Sequence, residues 1–266
     1  MQIGFSVNEI LFLATVATGA CWSAWRLRLR RLGDAAAKKP WWVHFGAELF
    51  VVVALMFTCR VALADWPRVP SGSMEPTLRV GDYLLVNHLV YGPRLPFTNT
   101  AIEFAAPQRG DVVVFRYPAD VSQFYVKRLV GLPGDVVRFE NGVVSVGDAP
   151  AQVRLLSEGS GEGVAEEDRG QWLMHESIDG HGHRIKVNPF VQGRLPVEGI
   201  ESDCIVQRAG AWRCVVPPGH YLMLGDNRDN SVDSRHWGFL PHEQVYGKAV
   251  RVLFNFSDWS RAWMPL

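Results

Sequence analysis

The chain has 266 residues, with 27 Lys/Arg against 27 Asp/Glu, so its formal charge is zero. Its mean hydropathy is close to neutral. These averages exclude a strongly basic nucleic-acid binder, a collagen-like repeat and a disordered, highly charged tail.

The averages conceal a division. Of the first 66 residues, 42 are apolar, and they hold seven basic side chains against four acidic ones. From Pro67 onward the balance is 20 against 23, and about 43% of residues are apolar. The chain is therefore read in two parts.

The first part predicts a membrane anchor, residues 1–66, with two transmembrane helices at about 3–25 and 42–60. Trp22, Trp25, Trp41, Trp42 and Trp66 stand at the span boundaries, where indole rings seat at headgroup level. The linking segment, 26–40, carries Arg26, Arg28, Arg30, Arg31, Lys38 and Lys39 against Asp34 alone. Short basic loops stay in the cytoplasm, so the loop is expected inside and residues 67–266 outside. Arg60 is expected to snorkel to the outer interface. A cleavable leader fits the first span poorly, because Met1-Gln2-Ile3-Gly4 carries no positive charge. A pair of buried helices from a soluble protein is the competing reading, and it leaves the charge asymmetry unexplained.

The second part predicts a mainly β catalytic domain. Asp82–Val86, Asp111–Phe115, Asp135–Phe139 and Lys248–Phe254 are short and rich in β-branched and aromatic residues, with Gly or Pro between them. Asn141-Gly142 is a hairpin signal. From about 148 to 203 the texture turns polar, with an acidic run from Glu158 to Asp168, which predicts an inserted small subdomain with a mobile loop. Cys21 and Cys59 fall in the expected spans as apolar filler. Cys204 and Cys214, ten positions apart around Gln207-Arg208-Ala209-Gly210, suit a disulfide closing a hairpin in an oxidising compartment. A zinc pair is disfavoured because no second close Cys/His pair accompanies them.

Chemistry concentrates in three blocks. They are Pro70-Ser71-Gly72-Ser73-Met74-Glu75-Pro76-Thr77-Leu78, the run from Tyr125 through Lys127 to Asp135, and the run from Gly225 to Arg235 followed by His236-Trp237-Gly238-Phe239. Together with Gly81-Asp82, Val86-Asn87-His88, Tyr91-Gly92 and Arg109-Gly110-Asp111, they resemble bacterial type I signal peptidases. These are membrane-bound serine proteases that remove signal peptides from exported proteins. The resemblance covers most of the chain outside the first span and the insert, and it implies the signal-peptidase-like β fold.

The resemblance implies Ser73 as nucleophile and Lys127 as general base, a Ser–Lys dyad. A serine hydroxyl needs a base to become a nucleophile. A lysine serves as base only if burial brings its pKa well below about 10.4. A strand through this segment would point Tyr125 and Lys127 to one face and Arg128 to the other. Read alone, Lys127 would be a solvated surface charge. The Ser73 backbone N–H and the Ser71 hydroxyl are implied as the oxyanion hole, although an unplaced Ser-Gly-Ser is more often a turn.

By the same resemblance Ser231 helps orient the lysine amine, Asp233 and Arg235 brace the site as an ion pair, and Gly225 and Asn230 shape the turn. Val69, Pro70, Met74, Leu78, Tyr125 and Val126 match positions forming shallow apolar pockets for an Ala-x-Ala cleavage signal. Core packing is their alternative role. Glu75 and Val232 depart from the family pattern. The partners expected are exported preproteins and the lipid bilayer, with no nucleic acid, and the location is the inner membrane with the catalytic domain on the periplasmic side. No cofactor and no metal are expected. The Asx-rich Gly225–Asn230 stretch lacks the glutamate and flanking helices of a calcium loop.

Other readings compete. A histidine-dependent hydrolase would use His88, His220 or His236, but no Gly-x-Ser-x-Gly surrounds any serine. His242-Glu243 begins like a zinc-protease helix and lacks the closing histidine. His181-Gly182-His183 reads as a solvated loop. A non-catalytic scaffold would have lost Ser73 or Lys127, and both are present.

Overall fold

The computed structural model describes residues 7–32, 40–92, 104–140, 143–147, 152–158, 169–190, 204–208 and 211–266. These form two compact units, one ending at Asp65 and one beginning at Trp66.

The first unit is helical. Helix α1 (Val7–Leu32) is continuous and ends on Arg30 and Arg31. The second apolar segment joins a π-type turn (Val43–Ala47) to α2 (Phe50–Thr58) and a further π-type turn (Cys59–Leu63). It ends in the two-residue strand β1 (Ala64–Asp65). Phe12 meets Phe57, Trp22 meets Phe50, and Trp25 meets Trp42, so the two segments run antiparallel. A Cβ on Gly46 would stand 2.7 Å from that of Cys21, so glycine is what permits this approach. Among the described residues one helix, Ile10–Arg31, is long and apolar enough to cross a membrane, and the second apolar helical stretch, Val43–Thr58, is shorter. The expectation of two full spans is thus met by one. The physical reason is the two π-type turns, which break up the second segment. Arg60 bonds Asp65 at 2.8 Å instead of standing as a lone charge.

The second unit is mainly β. Its strands are β2 (Asp82–Asn87), β3 (Val112–Tyr117), β4 (Asp120–Gly131), β5 (Val136–Glu140), β6 (Val143–Val146) and β7 (Gln152–Glu158). They continue with β8 (Trp172–Ile178), β9 (His181–Val187), β10 (Cys204–Arg208), β11 (Ala211–Val215) and β12 (His220–Leu224). Short helix α3 (Ser234–Trp237) precedes β13 (Leu240–Pro241), β14 (Val245–Asn255) and β15 (Met264–Pro265). The main sheet runs β2-β14-β3-β4-β12-β13, with β15 against β14. A second sheet orders β10-β11-β5-β6, and a third orders β7-β8-β9.

Alternation along β3 shows why both faces of the main sheet are buried. Val112 and Val114 enter one cluster with Val69, Met74, Leu78, Leu84, Val86, Ala249 and Val252. Val113 and Phe115 enter another with Tyr91, Leu129, Tyr221, Met223, Leu240 and Val245. With side-chain period two, an uninterrupted apolar run covers two cores at once. A third cluster joins the second sheet to β12 through Phe139, Trp212, Leu222 and Leu224.

The hairpin dipeptide Asn141-Gly142 lies outside the described residues, although β5 and β6 pair antiparallel on either side of it. Most of the acidic run, 159–168, also lies outside them, as do Ile3, Lys38 and Lys39. Cys204 and Cys214 are disulfide-bonded across directly paired positions of β10 and β11. His181-Gly182-His183 does not form a solvated loop but begins β9, paired with Ile178, Ser177 and Glu176. His183 is buried with its Nε2 3.1 Å from Glu176, and that acidic partner is what draws it inward.

Candidate active site

The first block forms a tight turn at the edge of a core. Ser71 has extended backbone, and Gly72–Met74 make a single 3-10 turn that buries Ser73 and Met74. Met74 and Leu78 anchor the turn from below, since both are fully buried.

Lys127 comes from β4, where it pairs with Val113 of β3. Its amine reaches Ser73, with Nζ 2.6 Å from Ser73 Oγ and 3.1 Å from the Val126 carbonyl oxygen. Lys127 is 4% exposed, and its Nζ stands 5.6 Å from the Tyr125 ring centre. Burial pulls its pKa down to about 8, against the opposing pull of Asp233 and Asp226 and with help from Arg235. The alternation expected of a strand holds here. Arg128 turns the other way and grips Asp226 with two bonds of 2.8 and 2.7 Å. Ser71 Oγ is 3.4 Å from Ser73 Oγ.

The third block holds this turn in place. Asn227 donates its backbone N–H to the Ser73 carbonyl (3.2 Å) and its amide Nδ2 to the Gly72 carbonyl (3.1 Å). Asp233 and Arg235 form a two-pronged ion pair at 2.8 Å, and Asp233 also accepts the Gly225 N–H at 2.9 Å. Burial would raise the Asp233 pKa, but the Arg235 guanidinium beside it holds the carboxyl below the usual range. Gly225 is required by close approach. A Cβ there would collide with the Ser231 side chain and stand 2.5 Å from the Ser73 carbonyl oxygen. Ser231 is buried beside Asp233, and its hydroxyl is among the groups that hold that carboxyl below the usual range rather than a partner of the Lys127 amine. The Asx-rich stretch does not gather its acids around a cation, because arginines take Asp226 and Asp233 and the Asn188 N–H takes Asp229.

A cleft of about 370 Å³ opens beside the pair, lined by Pro70, Ser71, Ser73, Phe124, Tyr125, Val126, Lys127, Asn230 and Val232. Pro70, Tyr125 and Val126 were expected in its wall. Val69, Met74 and Leu78 are not in it. They are consumed by the core behind it, where apolar side chains on a tight turn bury most area. Phe124 was missed, while Asn230, expected to shape the turn, and Val232 also line the cleft. Phe124, the residue before Tyr117's stacking partner Tyr125, has no local signal, although Val232 was visible as a departure. Two of the candidate histidines stand elsewhere: His88 Nδ1 is 3.2 Å from the Tyr246 carbonyl oxygen, and His220 Nδ1 is 2.9 Å from that of Pro218.

Such a buried hydroxyl–amine pair, edged by an apolar cleft, can run acyl transfer without a histidine. Comparison with known proteins gives the family. The family described as signal peptidase, peptidase S26, matches residues 42–254. Signal peptidase I of Pseudomonas fluorescens is 38% identical over 86% of this chain and 78% of its own. That of Pseudomonas aeruginosa is 37% identical over 83% and 75%. The crystal structure of a signal peptidase I from Enterococcus faecalis, 25% identical, covers 54% of this chain and 97% of its own with a TM-score of 0.30.

Proposed function

The chain belongs to the signal peptidase family, peptidase S26, and from that premise we propose that it is a membrane-bound serine endopeptidase removing signal peptides from exported preproteins after Ala-x-Ala. One observation carries the reading: Lys127 Nζ lies 2.6 Å from Ser73 Oγ in a buried site.

In the proposed reaction, neutral Lys127 takes the Ser73 hydroxyl proton as Oγ attacks the scissile carbonyl carbon. The developing oxyanion is received by the Ser73 backbone N–H and the Ser71 hydroxyl. The lysine ammonium then gives its proton to the departing amine, leaving an ester on Ser73. Water, deprotonated by the same lysine, attacks the ester, and as the bond to Ser73 Oγ breaks the lysine ammonium returns the proton to it, releasing the signal peptide with a new carboxylate. The cleft beside Pro70, Tyr125 and Val126 supplies the shallow apolar surface that small residues at −1 and −3 require. Asp233, Arg235 and Gly225 hold the geometry, and Ser231 lies against Gly225. Neither a cofactor nor a metal enters any step. The anchor, 1–66, would hold the catalytic body, 67–266, on the periplasmic face of the inner membrane, with 148–203 as an insert.

Cleavage of a preprotein by purified full-length protein tests this. Ser73→Ala and Lys127→Ala are each expected to lower kcat by at least roughly 10³-fold without loss of fold. Near-normal cleavage by Lys127→Ala, with loss in His236→Ala, would refute the dyad.

A further inference from the structure

The inserted sheet does not stop short of the site. In β9, the Lys186 N–H donates to the Asp226 carbonyl and its own carbonyl accepts the Arg228 N–H, both at 2.9 Å. β9 thus runs alongside the segment whose middle residue, Asn227, holds the Gly72 and Ser73 carbonyls. The Lys186 side chain turns to the same turn from another direction. Its Nζ lies 3.0 Å from Glu75 Oε2, with side chains only 11% and 23% exposed. Glu75 closes the nucleophile turn, because its N–H donates to the Gly72 carbonyl at 3.0 Å. Its carboxylate lies over Gly72, where a Cβ would stand 3.0 Å from Oε1.

We propose that Lys186, acting through Glu75, is a positioning residue for Ser73. The inference rests on the reading of Ser73 as nucleophile. The physical argument is one of magnitude. Because both side chains are largely shielded, losing Lys186 costs some global stability as well as position. Displacement of a nucleophile by about 1 Å, in contrast, costs up to roughly 100-fold in rate. The Ser73–Lys127 distance is set at one end by β4 and at the other by a short turn fastened on both flanks to β9. Releasing one flank gives the hydroxyl freedom without unfolding anything.

Kinetics of the full-length protein on a preprotein separate positioning from structure. Lys186→Met is expected to lower kcat roughly tenfold, with KM held within about twofold, at a temperature where the variant remains fully folded. Glu75→Gln, which leaves β9 intact, is expected to match it. The double variant is expected to be no worse than either single, as for two groups acting as a unit. Lys186→Arg is expected to retain most activity, since it preserves the charge. Wild-type kcat in both singles, multiplying losses in the double, or a fall in kcat that follows a lowered midpoint would each overturn the proposal. Ser73→Ala on the same substrate keeps the two readings apart. If it stays active, the nucleophile assignment falls and this inference with it. If it is dead while Lys186→Met is unaffected, only the inference falls.

Discussion

Lys127 spends folding free energy to hold a usable base. Its amine is displaced from an ordinary pKa of 10.5 to about 8, chiefly by burial. At pH 7 the charged form is therefore penalised in the folded state by roughly 3 kcal/mol, at about 1.4 kcal/mol per unit. The sign follows from linkage. The folded pKa is depressed, so the penalty is fully present below pH 8 and fades as pH rises from about 8 to 10.5. Lys127→Met, similar in length and uncharged, is expected to unfold at a higher temperature than the parent at pH 7 and to lose that advantage by pH 10.5. Thermal denaturation at the two pH values checks it, and a less stable variant at pH 7 would contradict the burial argument. Catalysis carries the matching signature. The logarithm of kcat/KM is expected to rise with pH and level off above about 8, as the neutral amine becomes the prevailing form.

At the scale of elements, the third sheet is pinned to the catalytic segment by a buried charge. Arg228, 1% exposed, pairs with Glu176 of β8, which His183 of β9 also approaches. Burial would raise the Glu176 pKa, but Arg228 and His183 hold it at about 2. Since that value is depressed from 4.5, the stabilisation is present above pH 4.5 and is lost as pH falls toward 2. Arg228→Met leaves an inadequately compensated buried carboxylate, expected to cost about 3–5 kcal/mol at neutral pH. That deficit is expected to shrink on acidification, as the carboxyl takes up a proton. Urea unfolding at pH 7 and pH 4.5 measures both; an equal deficit at the two would rule out a buried charge as its cause.

This junction also marks what could be read from the chain beforehand. The runs Asp82–Val86, Asp111–Phe115, Asp135–Phe139 and Lys248–Phe254 were legible because alternation and bounding Gly or Pro are local signals, and they coincide with β2, β3, β5 and β14. The Ser73 and Lys127 segments were legible as blocks, and their approach to 2.6 Å spans 54 positions. Links with no local signature were not legible. Arg228 meets Glu176 across 52 positions and Lys186 meets Glu75 across 111. Each of these residues reads in isolation as an ordinary surface charge. Val69, Met74 and Leu78 were assigned to the pocket because sequence neighbourhood cannot distinguish a cleft wall from the core behind it.

For the whole molecule, the first unit argues a topology. Aromatic pairs 12–57, 22–50 and 25–42 fix α1 and the second apolar segment as an antiparallel hairpin. A hairpin inserted across a bilayer returns the chain to its starting side, so the side taken by the basic turn decides the side of everything after Asp65. Arg26, Arg28, Arg30 and Arg31 end α1, and Lys38 and Lys39 follow in sequence. Six cations against Asp34 alone are expected to keep that linking segment in the cytoplasm. The shorter second segment is the weak member, and its antiparallel contact with α1 is what would carry it through the bilayer. Protease added to intact spheroplasts is therefore expected to digest the part after Trp66 while sparing the turn. Replacing all four arginines with glutamate is expected to protect a substantial fraction of that part by inverting the hairpin. If the body is protected in the parent protein, the topology is wrong. If the arginine variant inserts like the parent, charge does not set it.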